Sequence, residues 1–269
     1  MANPLVGDDL WAVVSSRLPR DCPKRKGGRP HVPDRACLTV ILFVLKTGVQ
    51  WEDVPQEIGC GSGTTCWRRL RDWQAAGVWD ALPRTLLDRL GEAGQIDWSR
   101  ASLDSASIPA QRGGEATGPT PTDRVNPGAK RHLLTERGGV PLAALLTGAN
   151  RHDSIVFADL LEAVPALRQP NRRRRTRPEK LHADTAYDIP RCRKALTQRP
   201  IRVRTACKGR DASEHLGQHR WVVERTLAWL NRFRRLTVRY ERRADIHQAF
   251  TTLGCCLICF RTLQKIGFW

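Results

Sequence analysis

The chain has 269 residues, 41% of them hydrophobic and 27% charged, and its 45 basic and 27 acidic residues leave a formal net charge of +18. That is length enough for one large domain, or for a medium domain joined to a small one, with a real core. The charge excludes a cationic partner and points to a polyanion, while no apolar run reads as a membrane span and MANPLVGDDLW lacks a signal-peptide pattern, so a cytoplasmic, DNA-associated location is expected.

Arginine outnumbers lysine 37 to 8. The guanidinium forks onto phosphate and stacks on bases, so nucleic acid suits this excess. A GC-rich coding bias also raises arginine, but would not by itself leave a large net charge.

Residues 1–94 read as a helical domain. Pro33 and Asp34 start a helix that runs through LTVILFVL to about Lys46. WEDVPQEIG is a short segment closed by Gly59. In GSGTTCWRRLRDWQAAGVW, Ser62 or Thr64 caps the next helix and Gly77 ends it, and a further helix covers about Trp79 to Leu90. Helix, short segment, glycine turn and basic helix form a helix-turn-helix-like layout. Arg68, Arg69 and Arg71 are its candidate DNA contacts; the same helix also reads as a core helix with inward Trp67 and Trp73 and solvated arginines.

Residues 95–269 have a different texture. IDWSRASLDS (96–105) reads as a strand ending near Asp104, and KRHLLTE with PLAALLT as a hairpin across a Gly-Gly turn. Residues 153–164 repeat at helical spacing behind Asp153. The Arg172–Arg175 run reads as a mobile loop able to meet DNA. KLHADTAY is a strand ending at Asp184, residues 190–198 a helix with Pro190 in its first turn, and IRVRTA (201–206) a strand. A long helix over about 218–236 and a last apolar helix over about 245–266 close the chain, and Cys255, Cys256 and Cys259 in the latter read as small hydrophobes rather than zinc ligands. Strand, hairpin, helix, strand, helix, strand, helix, helix is a mixed α/β order, a mixed sheet flanked by helices.

Two strand-end aspartates and one helical glutamate, Asp104, Asp184 and Glu224, have the composition of a hard-metal site. Singly, each also fits a turn, a cap or a solvated charge. On the long helix, Val222, Val223, Thr226, Leu227, Leu230 and Phe233 share one face and Glu224 lies opposite, with Arg220, Asn231 and Arg235 along its side. His132 and His152 read as polar histidines, His182 as a buried or outer-layer histidine on the strand of Asp184, and Tyr187 as a packing residue. Ser105 and Ser107 have no positioned base beside them in sequence.

The segments LDSASIPAQRGGEATGPTPTDRVNPGAKRHLLTERGGVPLAALLTGANRHDS, LHADTAYD and HRWVVERTLAWLNRFRRLTVRYERR, with WEDVPQEIG and WRRLRDWQAAGVWDAL before them, resemble the insertion-sequence-five family of bacterial transposases over nearly the whole chain. The resemblance implies a ribonuclease-H-like catalytic domain with a mixed five-stranded sheet, preceded by the helical domain, and an acidic triad at Asp104, Asp184 and Glu224 holding two Mg²⁺ ions, with Mn²⁺ as substitute. It implies double-stranded DNA partners, both element ends and target, a homodimer or higher oligomer on DNA, and phosphate contact by Arg220 and Arg235. Related transposases carry Tyr-x-x-Arg-x-x-x-Glu with Lys seven residues later; Arg220 and Glu224 match, whereas Gly217 and Asn231 depart. A catalytically inactive DNA-binding remnant or regulator, and a simple nuclease of the same fold, are the competing functions.

Overall fold

The computed structural model describes residues 4–20, 31–120, 125–205 and 213–268; at 205 and 213–218, Gly217 included, the backbone alone is described. The N-terminal helices are α1 (Asp8–Ser15), α2 (Asp34–Thr47), α3 (Gly63–Ala75) and α4 (Val78–Glu92). Gly48 ends α2 at φ 74°, a left-handed position that suits glycine. Ser62 caps α3 by accepting the Thr65 N–H at 3.3 Å. The tight turn of this region joins α3 to α4 through Ala76 and Gly77, while α2 and α3 are separated by the longer Gly48–Ser62 segment with two 3-10 turns.

The catalytic-region sheet uses β1 (Ala101–Pro109), β2 (Gly118–Pro119), β3 (Pro127–Glu136), β4 (Pro141–Gly148), β7 (Lys180–Ala183) and β8 (Arg202–Thr205). Five main strands lie in the order β4-β3-β1-β7-β8, with β2 a stub on the end of β3. β3 is antiparallel to both β1 and β4, and β7 and β8 run parallel to β1. This is the mixed sheet that the element order predicts, with the five main strands that the resemblance implies. β1 lies further along the chain than the expected 96–105. It begins at Ala101 and runs to Pro109 because β3 pairs with it throughout, so Asp104 sits within the strand and not at its end.

α5 (Phe157–Glu162) and α6 (Pro190–Thr197) precede β7 and β8 respectively, and α7 (Ser213–Asn231), α8 (Arg234–Thr237) and α9 (Ala244–Lys265) follow the sheet. Residues 153–156 are a 3-10 turn ahead of α5, and His152 rather than Asp153 caps it, through Nδ1 accepting the Ser154 N–H at 3.3 Å. The long helix stops at Asn231, and Phe233 turns the chain inward before α8. α9 is long and apolar enough to cross a membrane by composition, but most of it is buried against α4, β4 and α3 as a core helix. Trp51 stacks on Phe250 of α9 at 6.1 Å, so helical and sheet regions share one core.

The arginine run does not form a loose loop. β5 (Leu167–Arg168) and β6 (Arg174–Arg175) make a hairpin laid on α4. The Arg168 N–H donates to Asp88 at 2.9 Å, the Arg168 guanidinium meets Glu92 at 3.0 Å, and Trp98 Nε1 donates to Gln169 at 3.0 Å. Gly91 permits this approach, since a Cβ there would stand 2.1 Å from the Arg168 carbonyl oxygen. Asp88 also lies 3.8 Å from Arg174 Nη1, so acidic residues on α4 hold the hairpin and meet one arginine of the run.

Candidate active site

The site forms where β7 ends beside β1. The parallel register pairs Ser102 with His182. Two residues further along come Asp104, within β1, and Asp184, which follows the end of β7 and caps the next turn. α7 packs against β1 and β7. Ser102 Oγ donates to the His219 carbonyl at 3.0 Å, which seats the helix on β1.

One guanidinium gathers the carboxylates. Arg220 Nη2 lies 3.4 Å from Asp104 Oδ2 and 3.5 Å from Glu224 Oε1, and Nη1 lies 3.4 Å from Asp184 Oδ1. Both aspartates are also tethered to the backbone. Asp104 Oδ1 accepts the Ser105 N–H at 2.8 Å, leaving Oδ2 turned to the site. Asp184 Oδ1 accepts the Thr185 N–H at 2.6 Å and so caps a 3-10 turn as well. Glu224 is the most open member, with its side chain 55% exposed. Burial pushes the Asp104 carboxyl above its ordinary range, with Glu224 adding to the rise; the Ser105 amide and Arg220 oppose it without cancelling it.

Among the described residues, no three carboxylate, imidazole or thiol groups are already drawn together at metal-ligand spacing. The donor chemistry nevertheless suits a hard divalent ion: three carboxylates from three elements converge on a single positive group, and the side chains stay 18–55% exposed for entry.

The layer behind the site is histidine-rich. His182 packs edge-on against His219 with centroids 4.7 Å apart, and Arg100 Nη1 bonds His219 Nδ1 at 2.8 Å. Burial, then His219 and neighbouring cations, pull the His182 imidazole down to about 4. Tyr187 is 1% exposed and packs on Phe157, so it cannot serve as a DNA nucleophile.

The candidate DNA contacts separate. Arg68 is exposed, and Arg71 is partly exposed beside Asp72 and over the Trp67 ring. Arg69 is turned inward to Asp34 at 3.2 Å and the Val32 carbonyl at 3.4 Å, tying α3 to the start of α2. Arg235 is a correction. It is 5% exposed, donates through Nε to Glu241 at 2.7 Å, and reaches the Gly48 and Val49 carbonyls at 3.3 and 3.2 Å. It bolts the end of α2 to the catalytic region and has no face left for phosphate.

Asn231 lies seven residues after Glu224 and so on nearly the same helix face. Its Oδ1 accepts from Nη2 of Arg131 at 2.7 Å. Arg131 rises from β3 on the face that carries Asp104, is fully buried, and is pulled down to about 10 by that burial. Sequence reasoning passed over it; a cation at an inward position of an apolar strand was the available signal.

Two family profiles match the chain: "Putative transposase of IS4/5 family (DUF4096)" over residues 6–82, and "Transposase DDE domain" over residues 99–259. A Burkholderia cepacia protein described as "Putative transposase for insertion sequence element IS402" is 50% identical over 149 residues, covering 55% of this chain and 71% of the relative. A second from that organism, "Insertion element IS402 uncharacterized 16.2 kDa protein", is 57% identical over 123 residues, covering 45% of this chain and 84% of the relative. Among solved structures, the catalytic domain of Mos1 mariner transposase aligns with a TM-score of 0.28 and 10% identity, over 68% of this chain and 91% of that one.

Proposed function

Because the chain belongs to the DDE-domain transposase family, we propose that this insertion-element transposase cuts and joins DNA at the cleft bounded by Asp104, Asp184 and Glu224. The convergence of all three carboxylates on Arg220 carries this reading. The family is divalent-metal dependent. On our reading the ion is Mg²⁺, replaceable by Mn²⁺, and two are held per site.

Asp104 and Asp184, each oriented by a backbone N–H, would hold the ions from the strand side, and Glu224 would close the set from α7. A divalent ion there would neutralise phosphoryl charge and lower the pKa of an attacking water. With the carboxylates engaged on metal, Arg220 would be free to grip a phosphate oxygen with its two terminal guanidinium nitrogens. The overall reaction is hydrolysis at the element end, releasing a 3′-hydroxyl, followed by in-line attack of that hydroxyl on a target phosphodiester. The helical region, taken as residues 1–94, would present Arg68 and Arg71 to the element end, and residues 95–269 would carry the chemistry. A homodimer or larger assembly would hold two ends together.

The test is a strand-transfer assay with element-end DNA and Mg²⁺ or Mn²⁺. Joined product that disappears in Asp184→Asn, with duplex binding retained, is the expected result. Cleavage without joining would favour a simple nuclease, and binding alone an inactive remnant. Loss of binding and cleavage together in Asp184→Asn would contradict the metal-holding role.

A further inference from the structure

The arginine hairpin β5–β6 stands apart from the carboxylates. It leads into β7 at Lys180, whereas Asp184 follows the far end of that strand, about 13 Å further on at about 3.3 Å per residue. Three of its arginines hold it in place. Arg168 meets Glu92 at 3.0 Å, Arg174 lies 3.8 Å from Asp88, and Arg175 lies 3.6 Å from Glu179 with its guanidinium 5.7 Å from the Trp98 ring centroid. Arg172 and Arg173, at the turn, are exposed and have no carboxylate partner among the described residues.

The turn is closed by backbone bonds. The Arg172 N–H donates to the Gln169 carbonyl and the Gln169 N–H to the Arg173 carbonyl, both at 2.9 Å. Arg172 is thereby held at φ 62°, a left-handed conformation that glycine adopts with less strain. An arginine stands where backbone geometry favours glycine, and its charge is carried by a fixed turn.

The basic surface continues onto the helical region. A cleft of about 690 Å³ among the hairpin, α4 and the end of α1 is lined by Arg17, Arg84, Arg168 and Arg174, and a neighbouring depression of about 370 Å³ shares Arg168 and reaches Arg172. Arg17 and Arg84 are exposed and also lack a carboxylate partner among the described residues. Of the carboxylates lining the cleft, Glu92 and Asp88 are engaged by Arg168 and Arg174, which leaves Asp80. Unmatched cations at Arg17, Arg84, Arg172 and Arg173 are thus opposed by a single acid.

Guanidinium groups spread along a groove suit a row of phosphates better than one small anion. An acidic protein would match the charge as well, but the chain's own substrate is already a polyanion of this spacing. The hairpin is docked on α4 and shares the core of the helical region through Leu167, which favours the DNA held by that region over target DNA. We infer, on the reading that residues 1–94 meet the element end, that this surface binds the phosphate backbone of the element-end duplex on the inner side of the cleavage point, as a second interface beyond the carboxylate cleft.

The test measures binding without divalent metal, so its result is independent of the carboxylates. Full-length wild type, Arg172→Gly/Arg173→Gln and Asp80→Asn are titrated with a short element-end duplex and with the same duplex extended inward by two helical turns, about 21 base pairs. On the extended duplex the double variant is expected to bind about ten-fold weaker or worse, and its log K against log salt slope to be shallower by about 2, at about 0.9 per lost phosphate contact. On the short duplex it matches wild type within about two-fold, because the hairpin's phosphates are missing. Asp80→Asn moves the other way, binding the extended duplex a few-fold tighter. Glycine relaxes the left-handed turn, so the double variant should melt no lower than wild type; if it does melt lower, Asp80→Asn decides, since a folding defect does not strengthen binding. Unchanged affinity in both variants, or a change of equal size on the short duplex, overturns the inference. So does a defect confined to capture of target DNA. If wild type itself shows no preference for element-end DNA, the reading of the helical region fails and the inference with it; if wild type prefers that DNA and both variants match it, the inference alone fails.

Discussion

At the scale of single residues, Arg220 decides the electrostatics of the site. Three carboxylates this close repel one another, and one guanidinium offsets the repulsion while the cations are away. Arg220→Ala is expected to slow cleavage by about 100-fold or more, as loss of a charge-stabilising donor does. It should also lower the melting temperature without metal and enlarge the stabilisation that added Mg²⁺ gives, measured by thermal melts; a variant whose melt responds to Mg²⁺ as wild type does would count against this. The Asp104 carboxyl is already raised by burial, and removing Arg220 raises it further. The acid limb of the cleavage-rate profile should therefore move to higher pH in Arg220→Ala. Asp184 and Glu224 were legible as candidates, one at a strand end and one opposite an apolar helix face. That Arg220 also joins the two aspartates was not legible, because Asp104 and Asp184 lie more than thirty residues from it in the chain.

At the scale of elements, buried ionic groups lock the pieces together. Glu241 is almost fully buried and accepts from Arg235 at 2.7 Å and His247 at 3.2 Å. Burial alone would raise its carboxyl, but His247 and Arg235 overcome that and hold it below the ordinary range. A carboxyl depressed in the fold contributes stability above its unfolded pKa and loses it as pH falls through the folded value. Glu241→Ala strands Arg235 in the core and should cost about 3–5 kcal/mol in chemical denaturation. Arg235→Ala should fail in the same way, with an unfolding phenotype and no altered salt slope of DNA binding in whatever folded protein remains. The sequence placed Arg235 on the polar side of one continuous helix; the break after Asn231 turned it inward, and no propensity marked that break because tertiary contacts made it. The β5–β6 hairpin was likewise read as a loop, since a charge run carries no trace of the acidic helix that receives it. Gly91→Ala improves helix propensity by about 1 kcal/mol, yet a methyl there collides with the Arg168 carbonyl. Faster trypsin cutting at Arg172–Arg175 is the expected outcome; unchanged cutting would show the hairpin held elsewhere.

At the scale of the molecule, the order of elements along the chain and the helical N-terminal region followed from patterning, because period-2 and period-3.6 segments alternate clearly along the chain, whereas the five-stranded sheet came from the family resemblance. The single shared core binds them together. Buried neutral histidines set its acid limit. Burial pulls His132 and His182 down to about 4 from the ordinary 6.5. The unfolded chain takes up these protons first, so stability is full above about pH 6.5 and declines as pH falls towards about 4. Melting temperature against pH should show that decline, and His132→Gln should flatten part of it. The central claim is that the three carboxylates share cations. A crystal grown with Mn²⁺ and measured at the manganese absorption edge tests it most directly. The account expects an anomalous peak bound by oxygens of both Asp104 and Asp184, with Glu224 turned towards it and Arg220 displaced. Manganese elsewhere, with all three carboxylates still on Arg220, would contradict it.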